Sequence, residues 1–227
     1  MELTLETVVA ETLSLAGTIG EAERHLAKSC AVMARLTAAY GHCQLADTDQ
    51  DPFRTLASSI IGQQLSARAA CTIRARVEAI VPGFDATTLL ATTPDALRPS
   101  GLSGAKIRSL RDLAQRVTNG RLNLSALTNA SDKEVIAELT AVIGIGRWTA
   151  EMFLIFGLQR LNVLALSDAG LRRAVRLLYG DDATLEAVGL LWQPYCSVAS
   201  WYLWHHLDAA PQDLRAPTDK TPRLVAV

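Results

Sequence analysis

The sequence predicts an all-α protein, and three observations carry that expectation. Helix-start residues recur along the chain, strand-type alternation of apolar and polar residues is scarce, and apolar residues repeat every third or fourth position. About ten helices are expected on that pattern. In chain order, Thr18-x-x-Glu21 has the form of a capping box. The run Ala22, Leu26, Met33, Leu36, Tyr40 then carries the helical period to a stop at Gly41. Asp51-Pro52 is an N-cap followed by proline at the first helical position, opening a helix from Phe53 to Ile61 that Gly62-Gln63-Gln64 breaks. Ser66 caps a helix through Ile80, which Pro82-Gly83 ends, and Thr93-Pro94 starts a short one that stops between Pro99 and Gly101. Ser103 caps Ala105 to Val117, with Asn119-Gly120 closing it. Ser131-x-x-Glu134 is a second capping box, leading into Val135 to Val142. Arg147 to Leu158 is apolar all round (Trp148, Met152, Phe153, Leu154), as a central buried helix would be. Ala169 to Tyr179 and Pro194 to Leu207 complete the set, and the proline-bearing stretch from Pro211 to Val227 is expected to pack loosely.

Bulk properties exclude several classes. At 227 residues the chain can build one large domain or two small ones. Its 49% hydrophobic and 20% charged content is that of a soluble globular protein. No apolar run approaches the roughly 18–20 residues that span a bilayer. The acidic N-terminus (Glu2, Glu6, Glu11) does not resemble a secretory signal, so cytoplasmic residence is expected. Cys30, Cys43, Cys71 and Cys196 form no C-x-x-C pair, which argues against metal or iron–sulfur ligation and against a disulfide framework. They are expected to be small buried hydrophobes. A net charge of −1 argues against electrostatic coating of DNA. It leaves room for local basic clusters: Arg68, Arg74 and Arg76; Lys106, Arg108 and Arg111; Arg172, Arg173 and Arg176. Each reads equally well as a solvated helix face.

The most informative stretch is Leu139 to Ala150, followed at the end of an apolar run by Asp168. Gly144 and Gly146 make a tight Gly-x-Gly turn between two helices. Such a turn exposes backbone N–H groups beside a helix N-terminus and can bind a phosphate without charged side chains. It can equally be a plain αα-hairpin. Asp168 precedes the helix starting at Ala169, which makes it an N-cap, and a carboxylate there is favoured by the helix dipole. A stable carboxylate is also what an oxocarbenium-like transition state requires, so the two roles are compatible.

Leu139 to Ala150 together with Asp168 resembles the helix-hairpin-helix signature of the DNA base-excision glycosylases, in the branch of 3-methyladenine DNA glycosylase II. Ser59 to Ser66, Gly101-Leu102-Ser103-x-x-Lys106-Ile107-Arg108-x-Leu110 and Gly146-Arg147-Trp148-Thr149-Ala150 are similar to further motifs of that branch. The similarity covers about residues 50–207. It implies the compact form without the N-terminal β-domain of some relatives: two helical lobes with the active-site cleft between them. Residues 1–50 and 161–227 would form one lobe, and residues 51–160 a bundle ending in the hairpin.

The resemblance also implies roles by position. Asp168 would be the catalytic group; Trp148, Met152 and Trp204 would line the base pocket. Gln63, Gln64, Leu65, Ser66, Lys106, Gly144, Gly146, Arg147 and Thr149 would contact DNA, with Gln64 as the wedge replacing the extruded base. Trp148 stands where lyase-competent branches place a nucleophilic lysine, and an indole forms no Schiff base. No cofactor is implied beyond a monovalent cation, Na+ or K+, on the backbone carbonyls of Thr140, Ile143 and Ile145. The expected activity is monofunctional removal of alkylated purines (3-methyladenine, 7-methylguanine) from damaged double-stranded DNA, leaving an abasic site, by a monomer without membrane contact. Two alternatives stand beside it. One is a glycosylase for etheno, deaminated or oxidised bases, which would need a proton donor such as His205 or His206. The other is a non-catalytic helix-hairpin-helix DNA-binding module.

Overall fold

A computed structural model describes residues 5–47 and 51–209 of the chain. Among these residues every regular element is helical, and the chain divides into two compact units: Met1–Thr48 with Arg160–Val227, and Asp49–Gln159. The stretch from Pro211 to Val227, expected to pack loosely, lies outside the described residues.

The unit Asp49–Gln159 is built by side-chain caps. Helix α3 (Pro52–Gly62) starts at Asp51, whose Oδ1 accepts the Arg54 N–H at 2.7 Å, with proline at the first position as expected. Ser66 and Ser103 cap α4 (Ala67–Ile80) and α7 (Gly104–Thr118) in the same way. Both short helices between them, α5 (Ala86–Ala91) and α6 (Pro94–Leu97), are also capped, by Asp85 and Thr93. The second capping box is present: Ser131 and Glu134 satisfy each other's backbone at the start of α8 (Asp132–Thr140). Helix α9 (Arg147–Met152) passes directly into one π-helical turn, Phe153–Gly157. Phe53, Leu56, Ile60, Ile61, Leu89, Leu110, Leu113, Leu139 and Phe153 form the core.

In the other unit the N-terminal helices start and stop differently from the expectation. Helix α1 spans Leu5–Ser29, so Thr18 and Glu21 sit mid-helix, where no helix begins. The break falls instead at Cys30, in extended conformation, before α2 (Ala31–Tyr40). No glycine or proline marks it, and the Cys30 Sγ at the break lies 3.3 Å from the Tyr179 hydroxyl. Helices α10 (Ala169–Tyr179), α11 (Leu185–Gly189) and α12 (Cys196–Ala209) follow. With Trp192 from the turn after α11, they bury Leu171, Val175, Tyr202 and Leu203 with Ile19, Leu26, Met33 and Leu36 of the first two helices. Of the cysteines, Cys43 and Cys196 are buried as expected, and burial pushes the Cys196 thiol up to about 11. Cys30 is half-buried and Cys71 is exposed, because it lies on the outward face of α4.

No described helix is long and apolar enough to cross a membrane.

Candidate active site

The Gly-x-Gly turn is an αα-hairpin between α8 and α9. Its backbone is held by Val142 N–H donating to Leu139 O and Ile145 N–H donating to Val142 O, both at 3.1 Å. The two glycines have different reasons to be there. Gly144 has φ 82°, and a Cβ at that position would overlap the Ser109 hydroxyl. The fold itself therefore requires glycine at 144. Gly146 has an ordinary extended backbone (φ −93°, ψ 173°), and a Cβ there would meet nothing. It leaves open space beside the N-terminus of α9, which has no side-chain cap.

The hairpin rests on α7. Asp112 Oδ2 accepts the Ile143 N–H at 2.8 Å and the Arg116 Nε–H at 2.9 Å. Burial pushes the Asp112 carboxyl up, but the Ile143 and Arg116 donors outweigh it and hold it below the ordinary aspartate value. Ile143 is 57% exposed at the tip, whereas the Ile145 side chain is buried.

After the hairpin, Arg147 donates from Nε to Oε1 of the buried Glu151 at 2.9 Å. Trp148 is 40% exposed, and Met152, one turn on, is buried. Thr149 is buried and lies within reach of Gln63, whose Nε2 is 3.4 Å from its hydroxyl.

The break predicted after Ile61 is a turn over residues 62–66. Gln63 Nε2 donates to Gly144 O at 2.9 Å, tying this turn to the hairpin. Gln64 has φ 58°, a left-handed conformation uncommon for a side chain other than asparagine or aspartate, and it is exposed. Leu65 is 38% exposed, and Ser66 is engaged in capping α4. Lys106 faces the turn from α7: its Nζ donates to Ile61 O at 2.6 Å and to Gln63 O at 2.8 Å. Burial holds the Lys106 ammonium below the ordinary lysine value.

Asp168 lies in the other unit with Trp204. It is the N-cap of α10, accepting the Leu171 N–H on Oδ1 at 2.6 Å. The Trp204 indole N–H donates to the same oxygen at 3.1 Å. Only 7% of Asp168 is exposed, so the carboxylate is recessed and its orientation is fixed from two sides. Gly170 completes the arrangement, since a Cβ there would stand 3.0 Å from Asp168 Oδ1 and 3.5 Å from the Trp204 ring. Of the candidate histidines, His206 Nδ1 is hydrogen-bonded to the Tyr40 hydroxyl at 2.9 Å, and His205 is stacked on Trp201.

Sequence reasoning missed Ser109, Asp112 and Gly170. Only Gly170 left a signal, a glycine in the first turn of an otherwise strong helix. Among the described residues no group of three or more His, Cys, Asp or Glu could hold a metal ion.

Residues 57–190 match the model of the HhH-GPD superfamily base excision DNA repair protein, a span that includes the 62–66 turn, α7, the hairpin and Asp168. A DNA-3-methyladenine glycosylase of Schizosaccharomyces pombe is 30% identical over 164 residues, covering 68% of this chain and 72% of that protein. The DNA-3-methyladenine glycosylase of Saccharomyces cerevisiae is 37% identical over 153 residues, covering 63% of this chain and 52% of that one. The chain thus spans between about half and three quarters of these relatives. Among solved structures, the S. pombe 3-methyladenine DNA glycosylase in complex with abasic DNA superposes with a TM-score of 0.74 at 28% identity, over 84% of this chain and 98% of that one. With more than half of the chain matched by the family model, hairpin and aspartate included, the chain belongs to the HhH-GPD superfamily of base excision DNA repair proteins.

Proposed function

We propose that the chain is a monofunctional DNA glycosylase that hydrolyses the N-glycosidic bond of alkylated purines and leaves an abasic site. The observation that carries this reading is the recessed Asp168 carboxylate, fixed by the α10 N-terminus and by the Trp204 indole. The names of the relatives, DNA-3-methyladenine glycosylases, support the same substrate class.

The chemistry follows from these residues. A base inside a duplex is out of reach, so the nucleotide must leave the stack, at a cost of roughly a few kcal/mol that is lowest for damaged bases. Hairpin N–H groups beside Gly146 and the α9 N-terminus receive a backbone phosphate, with Arg147 alongside. Gln64 and Leu65, exposed on a strained turn, enter the gap the base vacates. Trp204, bonded to Asp168 within its own unit, offers an indole to the base, and a purine cation stacked on an indole gains roughly 0.5–2 kcal/mol. Its ring is already positively charged, so the C1′–N bond breaks with its electron pair leaving on the base and needs no proton donor. Positive charge then builds on the deoxyribose, where Asp168 stabilises it while water attacks C1′. Trp148 offers no amine to trap the sugar, so the reaction ends at hydrolysis.

The carbonyls of Thr140, Ile143 and Ile145 suit a hard monovalent cation. The hairpin's own backbone bonds end on Leu139 and Val142, not on these three oxygens. A bound Na+ or K+ would add positive charge beneath the phosphate site.

The test is incubation of the purified protein with methylated duplex DNA. Release of 3-methyladenine and 7-methylguanine, with alkali-labile sites but no strand cleavage by the protein itself, is expected. Release of only neutral lesions from single-lesion duplexes would move the spectrum to the alternative substrates. That reading needs a proton donor; His206 Nδ1 is bonded to the Tyr40 hydroxyl and the His205 ring is stacked on Trp201.

A further inference from the structure

The motif from Gly101 to Leu110 holds a basic residue, Lys106, where a phosphate contact is the obvious role, yet its bonding is different. An ammonium has three donors. Two of those on Lys106 are spent on main-chain oxygens, Ile61 O at the end of α3 and Gln63 O in the turn that carries Gln64. The residues spaced three apart along α7 continue the pattern. Ser109 lies directly under Gly144, and Asp112 accepts the Ile143 N–H at the hairpin tip. Gln63 then closes the circuit by donating to Gly144 O. One polar row on α7 therefore holds both the turn and the hairpin, and the side chain of Gln63 links them.

We propose that Lys106 is a positioning residue, which sets the Gln64-bearing turn in register with the hairpin rather than binding DNA. The left-handed Gln64 explains the need. A strained conformation persists only where its surroundings over-determine it. Two charge-assisted bonds to the residues just before Gln64 do so. The consequence for catalysis rests on the glycosylase reading above: a turn out of register still leaves a DNA-binding surface but extrudes the base less often.

Three readouts on Lys106→Met separate the possibilities. The first is amide hydrogen exchange of the free protein, which is expected to speed up in residues 62–66 and in the hairpin. The second is binding to undamaged duplex against NaCl concentration, where each phosphate contact contributes about 0.9 to the log–log slope. That slope is expected to stay at its wild-type value. The third is single-turnover release of 7-methylguanine at saturating protein, expected to fall about ten- to hundredfold, the cost of a misplacement on the order of 1 Å. A slope lower by about one with an unchanged excision rate would make Lys106 a phosphate contact and overturn the proposal, as would no change in exchange. Should Lys106→Met fail to fold, Gln63→Ala removes the link alone. It must raise exchange in both loops and slow release, or the proposal fails. A wild-type protein that excises nothing would sink the glycosylase reading, while the exchange result would still decide the bracing.

Discussion

Gly144 and Gly146 look alike in the sequence and are required by different things. Alanine at 144 must take a left-handed backbone, costing about 1–2 kcal/mol. It must also displace Ser109, which adds about 1–3 kcal/mol of overpacking. Gly144→Ala is therefore expected to lower the urea midpoint markedly. Gly146→Ala meets ordinary dihedrals and empty space, so its midpoint should stay close to wild type while affinity for duplex DNA drops. Equal effects of the two changes on stability would remove the distinction. At Asp168 the informative change is Trp204→Phe. It keeps an aromatic face for a base but removes the N–H that fixes Oδ1. Excision should slow at saturating substrate with little change in affinity for abasic-site DNA; a pure loss of affinity would mean that the indole serves only as a stacking surface.

At the scale of elements, local chemistry was legible and long-range chemistry was not. Asp51, Ser66, Thr93, Ser103, Ser131 and Asp168 all cap the helices assigned to them, because a cap needs only a short polar side chain and a backbone three residues away. Thr18-x-x-Glu21 has the same spelling but lies inside α1, where the helix continues on both sides. The Cys30 contact at the helix break and the support of the hairpin by Asp112 involve partners 149 and 31 residues away, which no local pattern encodes. The π-helical turn after Met152 is equally silent in the sequence. The candidate site divides along the same line: the hairpin and Asp168 were readable, whereas the bracing by α7 and the packing of Gly170 were not. The hairpin element also carries the cation prediction. Replacing K+ and Na+ by tetramethylammonium at constant ionic strength should weaken binding to duplex DNA, and Gly146→Ala should blunt that dependence. Identical affinity in all three salts would take the cation out of the account.

The whole molecule carries a pH dependence of stability with a definite sign. His206 is held below its ordinary value, first by burial and then by the charge of Arg35. Its folded pKa is thus lower than its unfolded one, so between the two the unfolded chain binds more protons. The stability it contributes is complete above about pH 6.5 and is lost as pH falls from there through the folded value. Asp112, also lowered, adds a second loss at more acid pH. Urea midpoints taken from pH 8 to pH 5 should therefore decline, and His206→Asn should flatten the upper part of that decline. A flat wild-type profile over this range would contradict the assignment. The division into two units gives each a separate task in the proposed reaction, the unit of α3 to α9 gripping the backbone and the unit of α10 and α12 supplying the carboxylate.

That division of labour makes the central claim testable by one paired measurement. Release of 7-methylguanine from methylated duplex DNA is compared for the wild type and Asp168→Asn, alongside the affinity of each for abasic-site DNA. Asparagine keeps an oxygen that can accept the Leu171 N–H, so the cap and the fold should survive. The account predicts that release falls by roughly 10²–10³ or more, as expected on removal of a transition-state charge partner, while affinity stays within a few-fold. Undiminished release by Asp168→Asn, or no release by the wild type, would contradict it.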